Sequence, residues 1–445
     1  MDNIQRYLAD FIANCDYAQI DDKFILDIKY RVIDWLGCAA IGIHYPQSEI
    51  ARQYFVSLKG AEEATMLGAC GKFPAGNAAL VNGIIGHVSE LDDGHRKAIG
   101  HPGSVTLPVA LALGEQLNIS GKAFLKALIV GYDLFARLGQ AVNPSHYKTW
   151  HTTGTCGAFA ATATAASLMG LTSQQTCHAL GIVATLASGI QESFGTHAKA
   201  LTIGNACQNA IYAATLAKRG YTGPATALTG KKGFIQSTST GANLDTLLAP
   251  SEATLLSDTA FYKIYASCGH TNSPLDAMFA LLKQHPLDSE KIKSIIVETY
   301  GVSVDLTKDL KTQNEDVAKF SLPYCLAIAI LFGAVSLQQF RPEVLHDPRV
   351  NSLAAKIQVI ESPEATARFP KRQAKVTVLL EEGTQYESQV MDATDVVDFS
   401  LLEKKFGEAT VNVDPKETEN ILHYLRQMDS QPDIKPLIRY LDLLG

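Results

Sequence analysis

The sequence predicts a mainly α protein, in which a large all-helical domain is interrupted by a smaller α+β domain. Apolar residues recur at helical spacing through residues 1–258 and again through 397–445. Alternating β-branched residues, which are typical of strands, occur between them in residues 259–396. A chain of 445 residues exceeds what one hydrophobic core usually supports, so these ranges are the expected domain boundaries.

The helical domain begins with an amphipathic segment, whose apolar side chains recur at the spacing of one helix face: Ile4, Leu8, Phe11 and Ile12. Asp21 or Asp22, and later Ser120, are predicted N-caps, because their side chains can accept the first backbone N–H groups of a helix. Further helices are expected over residues 23–43, 47–58, 76–89, 105–117, 120–140, 154–169, 173–188 and 203–219. Several are rich in alanine and glycine, which lets helix axes approach closely, and none shows the fixed repeat of a solenoid.

The second domain shows strand patterns, and they are expected at residues 292–300, 355–360, 375–380 and 385–391. Glu382, Gly383 and Thr384 form the expected hairpin turn between the last two strands. Helices are expected within this domain at 273–284 and 321–333, and beyond it at 401–406, 415–428 and 434–444. We expect the last helices to pack back on the first domain, which makes that domain discontinuous.

Composition narrows the classes of protein. Net charge is −7, so nothing indicates a nucleic-acid partner. The eight cysteines are scattered without CxxC pairs, which suits a reducing compartment. The N-terminus lacks a basic region followed by an apolar core, and the apolar run at residues 325–335 is too short to span a bilayer. We therefore expect a soluble, cytoplasmic protein with no membrane partner.

One stretch between two apolar helices concentrates charge. Eight ionisable side chains fall within fifteen positions: His87, Glu90, Asp92, Asp93, His95, Arg96, Lys97 and His101. Charged groups are rarely buried without partners, because desolvating them is costly. A cleft that shifts their pKa values is the functional interpretation, and an exposed helix end with a charged loop is the alternative.

Four blocks along the chain resemble, in order, signature blocks of the MmgE/PrpD family: HVSELDDGHRKAIGHPG, WHTTGTCGAFAATATAA, THAKALTIGNACQNA and FYKIYASCGHTNSPLDA. The resemblance covers nearly the whole chain. The family includes 2-methylcitrate dehydratase, cis-aconitate decarboxylase and iminodisuccinate epimerase. The resemblance implies that the α+β domain is a lid, that the protein is a homodimer, and that it acts on a small polycarboxylate without a metal or an organic cofactor.

The chemistry of such substrates indicates which side chains to look for. Removing a proton from a carbon beside a carboxylate needs a general base, and the resulting carbanion needs cations or hydrogen-bond donors. Dehydration also needs an acid for the departing hydroxyl, decarboxylation an acid that protonates carbon, and epimerisation two acid–base groups on opposite faces. All three reactions call for imidazoles or carboxylates that face a basic pocket.

The candidate catalytic residues are His101, His151, Asp93 and Lys199. His101 matches the family histidine of the HP motif and is the first choice for acid–base work, because imidazole titrates near neutrality. His151 matches a second family histidine, just before a helix whose N-terminus favours a carboxylate. Lys199 matches a family lysine and suits a carboxylate partner. Structural histidines and a solvated lysine are the alternatives.

The candidate substrate-binding residues are Glu90, Arg96, Lys263, Cys268, His270 and Tyr324. Lys263 matches another family lysine. Cys268 falls where a further family histidine lies, with His270 two positions later, and it is either a weak acid or a small core filler. Tyr324 is either a pocket residue or a core residue.

The same region departs from the pattern of cis-aconitate decarboxylases, which have D-F-D-D-T where this chain has ELDDG. Glu90 replaces an aspartate, Gly94 replaces a hydroxyl residue, and the spacing to His101 is one residue longer. These departures favour a dehydratase or an epimerase over a cis-aconitate decarboxylase. A reaction most like that of 2-methylcitrate dehydratase is therefore expected.

A metal-dependent hydrolase is the rival class of function. Its metal ligands would be His87, Glu90, Asp93, His95 and His101. His87 and Glu90 lie at i and i+3 and so share a helix face. Arg96 and Lys97 lie in the same stretch and would repel a cation, and the resemblance implies a metal-free site. We therefore expect no metal.

Overall fold

The computed structural model describes residues 4–250, 260–393 and 399–444. Within these ranges the chain is mainly α, as predicted. It divides into two compact units, each built from discontinuous segments. The domain boundaries expected from the sequence, at 258/259 and 396/397, lie outside the described residues. In the described part of the chain, no helix is long and apolar enough to cross a membrane.

The first unit comprises Met1–Ser193, Ala198–Tyr262 and Val397–Gly445. Its helices among the described residues are α1 (Ile4–Asn14), α2 (Asp22–Gly42), α3 (Pro46–Ser57), α4 (Ala75–His87), α5 (Gly103–Leu117), α6 (Gly121–Val142), α7 (Thr152–Met169), α8 (Ser173–Val183), α9 (Ala198–Lys218), α10 (Phe234–Thr238), α18 (Phe399–Ala409), α19 (Pro415–Arg426) and α20 (Lys435–Leu441). Two short antiparallel pairs accompany them: β1 (Ala64–Thr65) with β2 (Lys72–Phe73), and β3 (Gly94–His95) with β4 (Ala260–Phe261).

Local sequence explains where several helices begin. The Asp21 carboxylate accepts the backbone N–H of Lys23 at the start of α2, and the Ser120 hydroxyl accepts that of Ala123 at the start of α6, as predicted. Helix α9 begins at Ala198, five residues before the predicted start at 203. The added residues are mostly alanine, lysine and leucine, which are strong helix formers, so the helix extends over Lys199.

Close helix packing forms the core of the first unit. Helix α7 packs against α5, α6 and α9, and α4 packs against α9. A Cβ on Gly83 of α4 would lie 3.3 Å from the Cα of Gly204 in α9, and a Cβ on Gly204 would lie 2.6 Å from the Leu80 carbonyl oxygen. Glycine therefore permits this approach, which brings the C-terminal end of α4 to the N-terminal end of α9. His87 and Lys199 are located at those two ends.

The second unit comprises Phe194–His197 and Lys263–Val396. Its described helices are α11 (Asn272–Gln284), α12 (Gly301–Thr307), α13 (Glu315–Ala318), α14 (Leu322–Phe332), α15 (Pro342–Leu345), α16 (Pro348–Ala354) and α17 (Pro363–Ala367). Its strands are β5 (Ile292–Thr299), β6 (Ile357–Glu361), β7 (Ala374–Leu380) and β8 (Gln385–Val390).

The strands of the second unit form one sheet in the order β6-β5-β7-β8. The β5–β6 pair is parallel and places Ile295 opposite Ile357, whereas the other two pairs are antiparallel. The predicted β7–β8 hairpin is confirmed. The Leu380 N–H donates to the Thr384 carbonyl over 2.9 Å, and Gly383 supplies the positive φ of +93° that the turn requires.

Candidate active site

The candidate site in the first unit is built on the loop between α4 and α5. The loop leaves α4 at His87 and passes through Glu90, whose φ of +59° is rare for a residue other than glycine. It then folds back on itself, because the His95 N–H donates to the Gly100 carbonyl over 2.8 Å. This path returns the acidic residues of the loop to the N-terminus of α5, where a helix favours negative charge.

His87 lies at the centre of a buried chain of hydrogen bonds. Its Nε2 is 3.0 Å from the Lys199 ammonium, and its Nδ1 is 2.8 Å from Asp92 Oδ2. Because an ammonium only donates, the neutral ring accepts at Nε2 and carries its hydrogen on Nδ1, which donates to Asp92. Lys199 also forms an ion pair with Glu90, and the Ser104 hydroxyl donates to Asp92.

The His101 ring lies beside that of His87, with 5.1 Å between ring centroids. Its Nδ1 is 2.8 Å from the Asp93 carbonyl oxygen and 3.3 Å from Asp92 Oδ2. A carbonyl oxygen only accepts, so Nδ1 carries the hydrogen and the lone pair of the neutral ring is on Nε2. The side chain is 16% exposed, against 1% for His87. His101 is therefore the more accessible of these two rings and has the geometry of a base.

His151 precedes the first turn of α7, and its ring centroid is 6.2 Å from that of His87. Its Nδ1 is 2.8 Å from the Thr202 hydroxyl, which itself donates to the Lys199 carbonyl. Nδ1 therefore donates to Thr202, and the lone pair of the neutral ring is on Nε2. Burial, reinforced by the nearby Lys199 ammonium, lowers the pKa of His151 well below its ordinary value of 6.5. The ring stays neutral at physiological pH.

Three hydrogen-bond donors of the first unit hold the Asp93 carboxylate in place. Its carboxylate accepts from Arg31 Nη1 over 2.5 Å, from the Tyr132 hydroxyl over 3.1 Å and from the Gly103 N–H over 3.2 Å. Burial raises the pKa of Asp93 to about 6, although the Arg31 guanidinium opposes this rise. A Cβ on Gly103 would lie 2.5 Å from Asp93 Oδ1, so only glycine leaves room for this arrangement.

The rest of the charged stretch is mostly buried, and Lys97 is its exposed member. His95 uses Nδ1 to accept the Ala98 N–H over 3.1 Å. Arg96 is buried, with its guanidinium carbon 6.0 Å from the ring centroid of Phe261. The alternative of an exposed, charged loop is therefore wrong.

Packing explains why position 94 is a glycine. Strand β3, which contains Gly94, pairs with β4, and this places the Phe261 ring directly over the glycine. A Cβ on Gly94 would lie 2.5 Å from that ring. The aromatic side chain of β4 therefore occupies the space that a larger residue at position 94 would need.

Among the described residues, the ligand set of the metal-dependent alternative is only partly assembled. His87 and His101 lie together with Asp92, and their potential ligand atoms are within 4.8 Å of one another. Both rings, however, carry a hydrogen on Nδ1, and a cation would have to displace the hydrogen bonds to oxygen described above. The Lys199 ammonium, 3.0 Å from His87 Nε2, would also repel a cation. These three residues therefore fit a hydrogen-bonded cluster better than a metal site.

The substrate-binding candidates of the second unit are all buried: Lys263, Cys268, His270 and Tyr324. His270 Nδ1 is 2.8 Å from the Tyr300 hydroxyl, which orients its ring.

Cys268 and Tyr324 have contacts within the second unit that favour their structural alternatives. Cys268 is 5% exposed, and its backbone N–H donates to the Lys319 carbonyl over 2.9 Å. Tyr324 is fully buried, and its hydroxyl donates to the Gln339 carbonyl. Burial raises the pKa of Tyr324 above its ordinary value. Its burial favours a core filler for Cys268, and the hydrogen bond of its buried hydroxyl favours a core residue for Tyr324.

Some polar residues of the site were not singled out in the sequence. Thr202 follows Lys199 by three positions, and this spacing places both on one helix face. Arg31 is a charged residue on the apolar face of α2, a position that itself indicates a buried partner. Ser104 and Tyr132 carry no such signal, because each lies in an ordinary helical sequence.

Two family models match the chain. Residues 6–247 match the MmgE/PrpD N-terminal domain, and residues 265–428 match the MmgE/PrpD C-terminal domain. The chain belongs to the MmgE/PrpD family. The resemblance read from four sequence blocks is thereby confirmed.

Relatives of this chain with known names differ in how much of it they match. A cis-aconitate decarboxylase from Aspergillus terreus is 26% identical over 98% of this chain and 95% of its own length. The human cis-aconitate decarboxylase is 27% identical over 86% of this chain and 82% of its own length. A 2-methylcitrate dehydratase from Escherichia coli is 23% identical over 52% of this chain and 51% of its own length.

Proposed function

We propose that the protein is a lyase that acts on a small polycarboxylate by transferring a proton at a carbon beside a carboxylate. The observation that supports this most strongly is the grouping of His101, His151 and Lys199 around His87. Two rings with lone pairs on Nε2 and one ammonium are the groups that proton abstraction and carbanion stabilisation require. The relatives named above, decarboxylases and a dehydratase, are lyases.

In this proposal His101 takes the proton, since its Nε2 has the lone pair and its side chain is the more exposed. In a dehydration the protonated ring then gives this proton to the departing hydroxyl, which leaves as water. In a decarboxylation the protonated ring instead delivers its proton to the carbon from which CO2 leaves. Lys199 and the N-terminus of α7 stabilise the negative charge that develops on the substrate carboxylate. His151 stays neutral and accepts a hydrogen bond from the substrate at Nε2. Glu90 orients the ammonium of Lys199.

Asp93 acts as a positioning residue in this scheme and not as a proton carrier. Its carboxylate is occupied by Arg31, Tyr132 and the Gly103 N–H, while its backbone carbonyl fixes the Nδ1 hydrogen of His101. Arg96, Lys263 and His270 remain candidates for contacts with the substrate.

Two reactions are candidates. Dehydration of a substrate like 2-methylcitrate is favoured by Glu90 and Gly94, which depart from the decarboxylase pattern. Decarboxylation of a substrate like cis-aconitate is favoured by the similarity to decarboxylases along nearly the whole chain. We further propose a cytoplasmic homodimer that works without a metal or an organic cofactor and without nucleic-acid partners.

Proton NMR in deuterated water tests the proposal. The protein is incubated separately with citrate, 2-methylcitrate, cis-aconitate and iminodisuccinate, before and after exhaustive chelation. We expect deuterium at one carbon of at least one substrate or of its product, unchanged by chelation, and the product distinguishes dehydration from decarboxylation. If no substrate exchanges or reacts, the proposal is wrong. If activity is lost on chelation and restored by zinc, the metal-dependent alternative replaces it.

A further inference from the structure

A lysine from the C-terminal part of the chain contacts the loop of the candidate site. Lys405 lies in α18, and its ammonium is 2.7 Å from Asp34 Oδ1 and 2.7 Å from the Leu91 carbonyl oxygen. Only 19% of the Lys405 side chain is exposed, and 1% of that of Asp34. Leu91 lies between Glu90 and Asp92. One cation therefore joins α18, α2 and the backbone of the loop between α4 and α5.

The point of contact lies beside a residue of the loop with an unfavourable backbone conformation. Glu90 has a positive φ of +59°, a conformation that relaxes unless surrounding contacts hold it. The Leu91 carbonyl accepts from Lys405 in the next peptide unit. Fixing that peptide sets the direction in which the chain enters Asp92, whose carboxylate receives the Nδ1 hydrogen of His87.

The position of Lys405 is itself well defined. The Phe399 ring at the start of α18 stacks on Tyr30 of α2, with 3.7 Å between centroids. Near the other end of α18, the Cβ of Ala409 lies close to Gly37 of α2: a Cβ added to Gly37 would be 3.6 Å from it. Helix α18 therefore lies along α2 over most of its length, and the lysine reaches the loop from a supported helix.

We propose that Lys405 is a positioning residue, which holds the Leu91 peptide so that Asp92 keeps the His87 ring turned with its Nε2 toward the Lys199 ammonium. Arg31 of α2 holds the Asp93 carboxylate, so cations from outside the loop hold it at two points, the Leu91 carbonyl and the Asp93 side chain. The C-terminal segment is then needed for turnover as well as for packing. The effect on turnover depends on the proposed lyase function, whereas the effect on the loop does not.

The variants are chosen to separate positioning from stability. Lys405→Met keeps the length of the side chain but leaves the Asp34 carboxylate buried without its cation, which is destabilising. The double variant with Asp34→Asn removes that charge as well, so we expect it to regain thermal stability. It still lacks the hydrogen bond to Leu91. Lys404→Met is the control, because the Lys404 side chain is 71% exposed on the same helix.

Four quantities are measured for each variant: the melting temperature, kcat, KM, and the hydrogen exchange of backbone amides 88–93 by mass spectrometry. In the double variant we expect wild-type melting, faster exchange in this loop, and a kcat lower by about tenfold to a hundredfold, the usual cost of a small misplacement. KM should change much less. Lys404→Met should match the wild type throughout.

Wild-type kcat and wild-type loop exchange in the double variant would overturn the role of Lys405. If the proposed function itself is wrong, the wild type turns over none of the substrates. Hydrogen exchange of amides 88–93 in the wild type and the double variant then still shows whether Lys405 holds the loop. A normal wild-type activity with no exchange difference between variants rejects Lys405 alone.

Discussion

His151 Nδ1 lies 2.8 Å from the hydroxyl oxygen of Thr202. The hydroxyl hydrogen is used on the Lys199 carbonyl, 2.8 Å away, so Thr202 can only accept from the ring. One turn of α9 therefore supplies both the ammonium of the site and the hydroxyl that selects the tautomer of His151. This relationship leads to the first prediction.

Thr202→Val should lower kcat by about tenfold, because the ring of His151 loses the acceptor that keeps its hydrogen on Nδ1. Thr202→Ser retains the acceptor and should restore most of the activity. Steady-state kinetics measure the effect, and nitrogen NMR of labelled histidine reports the tautomer. Equal activity of the valine and serine variants would contradict this role.

His101→Ala and Lys199→Ala should each lower turnover by about a hundredfold or more, the scale for general acid–base and charge-stabilising groups. The matched control is Lys97→Ala, which should leave turnover unchanged because Lys97 is the exposed cation of the same stretch. Turnover is measured by the NMR assay, with circular dichroism to check folding. Full activity in either variant removes that residue from the mechanism.

Gly103→Ala should destabilise the protein by about 1–3 kcal/mol, the usual cost of overpacking. Its Cβ would lie 2.5 Å from Asp93 Oδ1 and 2.6 Å from the Tyr132 hydroxyl oxygen. Gly407→Ala is the opposite case, because no atom lies within 4 Å of a Cβ there and the residue is exposed in α18. It should stabilise by about 0.5–1 kcal/mol. Urea unfolding measures both, and a neutral Gly103→Ala would mean that the contact can relax.

Stability should fall as the pH is lowered from 7 to 5, partly because of His146. This ring is fully buried, with Nε2 2.7 Å from the Thr155 hydroxyl. Burial lowers its pKa from 6.5 to about 4, although the Thr238 carbonyl opposes this. Between these two pKa values His146 binds a proton in the unfolded chain but not in the folded chain, so lowering the pH favours unfolding. At pH 5 this ring lowers the free energy of unfolding by about 2 kcal/mol.

Urea unfolding at pH 7 and pH 5 measures this loss. His146→Asn should reduce the difference between the two pH values, even if it lowers stability at both. His423→Asn, at an exposed position on α19, should leave the difference unchanged. An identical pH dependence in the wild type and His146→Asn would show that this ring does not contribute.

Much of the local structure was predictable from neighbouring residues. The cap at Ser120 and the hairpin turn at Gly383 were found because both depend on hydrogen bonds within a few positions. The family blocks indicated His101, His151 and Lys199 without any coordinates. The start of α9 was missed, because the residue before it is His197, which is not one of the common N-cap residues.

Long-range contacts decided the rest. His87 and Lys199 are 112 positions apart, and they meet because Gly83 and Gly204 let α4 and α9 approach at one register. The loop of Glu90 to Asp93 is held by Arg31 and Lys405, which come from helices at opposite ends of the chain. The sequence by itself determined the helices, the sheet and the types of chemical group available. Only the tertiary structure decided their pairing, tautomers and burial, because these depend on distances between segments that are remote along the chain.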